Sequence, residues 1–298
     1  MKINFSDEVS GAIHFDRPVV ALESTVIAHG LPYPQNIETA HSLELIVRDA
    51  GATAATIAIF AGEIFVGLTH AQLELLAAGQ GVRKVSRRDF AVAVAKKLNG
   101  ATTVATTAFV ARGAGIKVFA TGGIGGVHRG DEMDVSADLP EMANTPIIVV
   151  CSGAKSVLDL GRTREWLETN GVTVLGWRCD EMPAFYTKSS GFAVDERVET
   201  ASQAAEIAAA RNELGLNGAI LVCAAVPERA EIALADHQEI LNDAIRLADS
   251  GQIKGKDTTP FLLARMAELS GGRTLSANIA LLENNARVAA EIAAALSY

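Results

Sequence analysis

Short, continuous apolar runs, each followed by a stretch of helix length, recur along the whole chain. They fall at 18–22 (PVVAL), 118–120 (VFA), 147–151 (IIVVC), 172–177 (VTVLGW) and 218–224 (GAILVCA). Unbroken hydrophobicity over so few residues marks strands buried on both faces, and helices between such strands supply parallel crossovers. Helices are read at 35–50, 69–78, 101–115, 154–170, 201–214, 228–250, 259–269 and 276–296, with Ile37, Ala40, Leu43, Ile46 and Val47 forming one apolar face of the first. The runs 56–60 and 63–68 flank Ala61-Gly62 and read as a hairpin, an antiparallel element in an otherwise parallel plan. Neither repeats nor a long linker interrupt the alternation. The expectation is one α/β domain over 1–298, a three-layer α/β/α arrangement with a largely parallel sheet plus the hairpin.

Chemistry concentrates in 117–160. The run Gly122-Gly123-Ile124-Gly125-Gly126 lets backbone amides approach a ligand without side chains in the way. Asp131, Glu132, Asp134 and Asp138 follow, a solvated acidic loop or hard oxygen donors suited to Mg²⁺ or Mn²⁺. Lys155 comes just after the second strand of this region, at 147–151. With Ser152 as N-cap, it falls in the first turn of the helix read at 154–170, where a cation is disfavoured and the neutral, carbonyl-attacking amine is favoured. Glu23 follows the strand at 18–22, either a solvated strand end or a carboxylate delivered to the sheet edge where ligands of α/β proteins gather. The stretch 82–89 (VRKVSRRD) reads either as a solvated loop or as a phosphate grip.

Composition narrows the partners. A formal charge of −9 argues against a nucleic-acid or anionic-membrane surface, while leaving room for a small phosphorylated ligand met by local cations. No run reaches the length of a membrane span, and the first residues lack a signal-peptide layout. The three cysteines have no metal-ligand spacing and read as reduced thiols of a cytoplasmic protein. Two motifs fail on context. The glycines run into His128-Arg129-Gly130 rather than opening a helix in a first βαβ unit, against a dinucleotide turn. Ser152-Gly153-Ala154-Lys155 matches S-x-x-K, but its partner motifs S-D-N and K-T-G are absent.

Several long motifs, in order, resemble one family. ALESTVIAHGLPYPQN (21–36), KVSRRD (84–89), TGGIGGVHRG (121–130), DVSADL (134–139), SGAKSVLDLGRTREWLET (152–169), DEMPAFYTKSSGF (180–192), TPFLLARMAELSGG (259–272) and SANIALLENNA (276–286) are similar to the pseudouridine-5′-phosphate glycosidase family, also called indigoidine synthase A-like. The resemblance implies a glycosidase of lyase type: reversible cleavage of pseudouridine 5′-phosphate to uracil and ribose 5-phosphate in a homotrimer, with Mn²⁺. It further implies that Lys155 forms a Schiff base, Glu23 donates a proton and Asp134 holds the metal. Lys84, Val104, Ser136, Ala137, Asp138 and Asn278 would line the substrate. Two departures from the family pattern are the short spacer at 131–133 and CAAVP at 223–227, where an asparagine–proline pair is expected. Two other readings share the same residues: a Schiff-base lyase or aldolase acting on another sugar phosphate, and a non-catalytic sugar-phosphate-binding protein.

Overall fold

A computed structural model of the chain describes residues 2–130, 134–253 and 258–296. In chain order the first half contains β1 (Ile3–Phe5), α1 (Asp7–His14), β2 (Val19–Leu22), α2 (Gln35–Asp49), β3 (Thr53–Phe60), β4 (Glu63–Val66), α3 (His70–Ala78), β5 (Val82–Val85), α4 (Arg87–Ala95), β6 (Asn99–Thr102), α5 (Val104–Gly113) and β7 (Val118–Ala120). The second half adds α6 (Asp138–Asn144), β8 (Ile148–Cys151), α7 (Leu160–Thr169), β9 (Thr173–Trp177), β10 (Glu196–Val198), α8 (Ala201–Glu213), β11 (Ile220–Ala224), α9 (Leu234–Ser250), α10 (Thr258–Leu269) and α11 (Arg273–Ala295). The expected α/β plan is present: a mostly parallel sheet with helices on both faces.

The sheet has two parts that share β3. One runs β3-β2-β7-β8-β11-β9-β10 and is parallel throughout. The other joins β1, β4, β3, β6 and β5, with β3 antiparallel to both β4 and β6. Residues Thr53 to Thr56 of β3 pair with β2, and Ile57 to Phe60 pair with β4. At the parting point a buried knot of hydroxyls ties three strands together. Ser24 Oγ donates to the Ile57 carbonyl (2.6 Å) and accepts from the Thr102 amide (2.8 Å). Thr102 Oγ1 donates to the same carbonyl (2.8 Å) and accepts from Thr107 Oγ1 (2.8 Å).

Helices α2, α8 and α11 pack on one face, and α5, α6 and α7 on the other. Their apolar sides join the strands in one hydrophobic cluster that extends from Val9 to Ala293. Among the described residues no helix is long and apolar enough to cross a membrane.

Four sequence expectations need correction. The helix read at 101–115 begins only at Val104, because Asn99–Thr102 is strand β6, wedged between β3 and β5. The basic stretch 82–89 is not a loop: it is β5 followed by the start of α4, with a Ser86–Asp89 capping box. The helix read at 154–170 starts at Leu160, where the Asp159 side chain accepts from the Arg162 amide at 3.0 Å. The helix read at 228–250 is a 3₁₀ turn, Glu228–Ala230, then α9 from Leu234. Strands β1 and β10 and helix α1, none of them expected from the sequence, complete the fold.

The knot at the parting of the sheet makes a clear prediction. Ser24→Ala removes a donor to Ile57 and leaves the buried Thr102 amide without its acceptor, so the unfolding free energy should fall by about 2–3 kcal/mol. Urea denaturation should show this as a lower midpoint with an unchanged slope.

Candidate active site

The chain leaves β2 toward β3 on one side and leaves β7 toward β8 on the other, so the carboxyl ends of β2 and β7 form a switch point. A cavity of about 500 Å³ opens there. Glu23 follows β2, Lys84 lies in β5, Val104 opens α5, the glycine turn follows β7, Lys155 follows β8, and Asn278 projects from α11. Together with Asp134, Ser136, Ala137 and Asp138, these residues all line the cavity. The structure thus gathers around one cavity every residue to which the family resemblance gives a role.

Lys155 is positioned by two interlocked loops. Hydrogen bonding between β7 and β8 continues beyond the strands: Ser152 N donates to Gly122 O (2.9 Å), Ile124 N to Gly153 O (3.1 Å) and Lys155 N to Ile124 O (3.0 Å). Gly153 has φ +78°, and a Cβ there would overlap the Pro183 carbonyl oxygen. This left-handed residue prevents a helix from starting at Ser152. The Ser152 hydroxyl is instead paired with Asn285, whose amide also donates to Thr121 O at 2.9 Å. Lys155 is therefore a half-buried loop residue, and the expectation that a helix's first turn favours its neutral amine does not hold.

The three described carboxylates of the cavity sit in different settings. Glu23 is 8% exposed, and its two oxygens pair with the hydroxyls of Thr25 and Thr121. Asp138 is 7% exposed and already committed: Oδ1 accepts from the Ala105 amide (2.9 Å) at the start of α5, and Oδ2 from the Gly125 amide (2.8 Å). Any Cβ on Gly125 would overlap Ser136 Oγ and displace this bond. Asp138 thus ties the glycine turn to α5, and Ser136 and Ala137 meet the cavity beside it. Asp134 is nearly half exposed, with Oδ2 3.8 Å from His128 Nδ1.

Among the described residues there is no group of three or more His, Cys, Asp or Glu placed to hold a metal. Asp131 and Glu132, also read as hard donors, lie outside the described residues. A half-exposed carboxylate met only loosely by His128 still fits Mn²⁺ or Mg²⁺, which keep several waters and take only one or two protein carboxylates. Asp134 is the residue that would hold such an ion.

Several lining residues carry no role in the sequence reading. His29 sits on the π-helical turn Val26–Gly30 after β2. Burial and then the Lys84 charge hold its imidazole below the ordinary histidine range. Arg87 lines the cavity at the start of α4, with Nε 2.5 Å from Glu141 Oε2 and its guanidinium 3.8 Å from the Phe109 ring centre. Leu158, Phe185, Leu263 and Leu282 add apolar surface to the lining, which Asn278 shares. The sequence signals for these were weak: a histidine in a Pro/Gly loop, and arginines in a stretch readable as solvated.

The family described as Indigoidine synthase A like protein matches residues 8–295. A pseudouridine-5′-phosphate glycosidase of Clostridium botulinum is 53% identical over 298 residues, covering 99% of this chain and 97% of its own. One from Geobacillus kaustophilus is 52% identical, covering 98% of each chain. Two solved structures superpose with a TM-score of 0.91 at 40% identity, each covering 99% of this chain and 97% of its own. They are the prealnumycin C-glycosynthase AlnA in complex with ribulose 5-phosphate and an indigoidine synthase A-like protein of Thermotoga maritima. With this much of its length matched, the chain belongs to the indigoidine synthase A-like family.

Proposed function

We propose that the protein is a pseudouridine-5′-phosphate glycosidase that breaks the carbon–carbon bond between uracil and ribose 5-phosphate by way of Lys155. The observation that carries this reading is one cavity lined by a lysine, a buried glutamate and, on β5 and α4, further cations. Relatives at about half identity bear that name, and the related C-glycosynthase, which holds a sugar phosphate, shares the fold.

Protonating a leaving oxygen or nitrogen, as ordinary glycosidases do, does not break a carbon–carbon bond. Electrons must be pushed from C1′ toward the ring as it leaves. The Lys155 amine adds at C1′, the C1′–O4′ bond opens, and O4′ takes a proton. The nitrogen lone pair then forms an iminium as the bond from C1′ to the uracil carbon breaks, and that carbon is protonated. Water adds to the iminium, releasing ribose 5-phosphate and regenerating the amine. The sum is one water consumed per uracil formed.

Glu23, oriented by Thr25 and Thr121, serves as proton donor. Lys84 and the start of α4 take the phosphate, whose binding energy holds the reacting end in place. Asn278 and the apolar part of the lining take the flat base. A divalent cation such as Mn²⁺, held through Asp134, would supply fixed positive charge at the polar side of the cavity.

Incubation with pseudouridine 5′-phosphate and Mn²⁺ should release free uracil, which neither a lyase for another sugar phosphate nor a binding protein would do. Borohydride added with ribose 5-phosphate should place a reduced adduct on Lys155, seen by peptide mass. Lys155→Ala retaining near-normal turnover would falsify the covalent route. Glu23→Gln should lower kcat on the order of 10²–10⁴-fold. Lys84→Ala should act mainly on KM, by about 10–100-fold, the worth of one charged hydrogen bond.

A further inference from the structure

His29 lines the cavity but takes no part in those steps, and its Nε2 is buried without a hydrogen-bond partner. Buried side-chain polar atoms nearly always have one, so an orphan at a cavity wall points to something the cavity receives. The other edge of the imidazole donates to the Val82 backbone on β5. With Nε2 the edge that lacks a partner, a proton on Nδ1 satisfies that contact and leaves Nε2 an acceptor. Lys84, two residues further along β5, lines the same cavity and acts electrostatically on the ring. A second orphan, Oγ1 of the 9% exposed Thr103, stands at the N-cap of α5 on the same cavity.

An acceptor lone pair is the wrong partner for a phosphate dianion, which has oxygens to offer and no proton. Docked against Lys84, a dianion would face Nε2 lone pair to lone pair. One proton resolves the conflict, making Nε2 a charged donor to a phosphate oxygen. We propose that His29 is the specificity residue for the phosphate group, neutral in the open cavity and taking up one proton as a phosphate dianion docks beside Lys84. Thr103, whose hydroxyl rotates freely, donates to the same group without any change of charge. The proposal rests on assigning the Lys84 end of the cavity to phosphate.

The turn carrying His29 packs against α2, α3 and β5. Their titratable and charged groups are Glu38, His41, Glu44, Arg48 and Asp49 on α2, His70 and Glu74 on α3, and Arg83 and Lys84 on β5. Of these, only Lys84 acts on the imidazole, and it opposes protonation until an anion neutralises it. Glu23, Arg87 and Arg88 share the cavity rather than the packing.

Proton uptake on binding means affinity that falls as pH rises, by about tenfold per unit once the complex must draw its proton from solution. Titration calorimetry with ribose 5-phosphate, run with Lys155→Ala as the parent protein because imine formation at Lys155 would itself bind a proton, reads the uptake at about pH 8, where a phosphate ester with second pKa near 6 is dianionic, when repeated in buffers of different ionisation enthalpy. The parent with His29 intact should take up close to one proton, and none with unphosphorylated ribose. His29→Gln in that parent, whose amide donates without titrating, should bind ribose 5-phosphate more weakly, with little uptake and a flat pH profile. His29→Asn serves if circular dichroism shows the glutamine variant misfolded. Uptake in the variant equal to that of the parent, or parent binding without uptake, overturns the proposal. A parent that binds ribose 5-phosphate no better than ribose removes phosphate from this end of the cavity and overturns it as well. Failure of the wild type to release uracil, by contrast, rejects the glycosidase assignment while leaving the proton count measurable on ribose 5-phosphate.

Discussion

The sheet parts at Ile57, and the shape of the cavity follows from that parting. Strand β3 begins in the parallel sheet beside β2 and ends in the smaller sheet with β4 and β6. Divergence inside a core exposes backbone groups to an interior where unpaired ones are costly. Ser24 and Thr102 meet this cost at the Ile57 carbonyl, and both are fully buried. The same residues flank cavity-lining positions, since Glu23 precedes Ser24 and Thr103-Val104 follow Thr102. The hydroxyls that hold the seam therefore also fix where the cavity's glutamate and the start of α5 stand.

Each sheet brings something different to the cleft. The parallel sheet supplies Glu23, the glycine turn and Lys155 from the ends of β2, β7 and β8; the smaller sheet supplies Lys84 from β5 and the start of α5 after β6. Lys155 and Lys84 are thus carried by different parts of the sheet joined through β3, an arrangement that suits the function proposed above. Positions set by strand ends are more exact than positions on free loops. Even the Lys155 loop obeys this, because its hydrogen bonds to the glycine turn prolong the β7–β8 pairing.

Much of this was legible in the sequence, for physical reasons. Doubly buried strands such as 147–151 and 218–224 are unbroken apolar runs and announce themselves, as does the 61–62 hairpin turn. Strand β6 (Asn99–Thr102, NGAT) does not, because its place comes from tertiary pairing with β3 and β5 rather than from apolar content. The start of α7 was misread because Ser152 has the chemistry of an N-cap; a left-handed Gly153 and the competing partner Asn285, far along the chain, decide otherwise. The site residues were legible through long ordered motifs, whereas the orphaned Nε2 of His29 becomes visible only with the packing around it.

The carboxylates show why residue type alone could not assign roles. Backbone amides can only donate, so Asp138, bound by Ala105 N and Gly125 N, can only accept, and giving it a proton would break a bond that holds the glycine turn. Glu23 is bound by two threonine hydroxyls, which rotate to donate or to accept. It can hold a proton or release one without leaving either threonine unpaired. Of two equally buried acids, one is therefore held as a strut by amides that only donate, and the other has hydroxyl partners compatible with the donor role proposed for it; the difference lies in their partners, not in their burial.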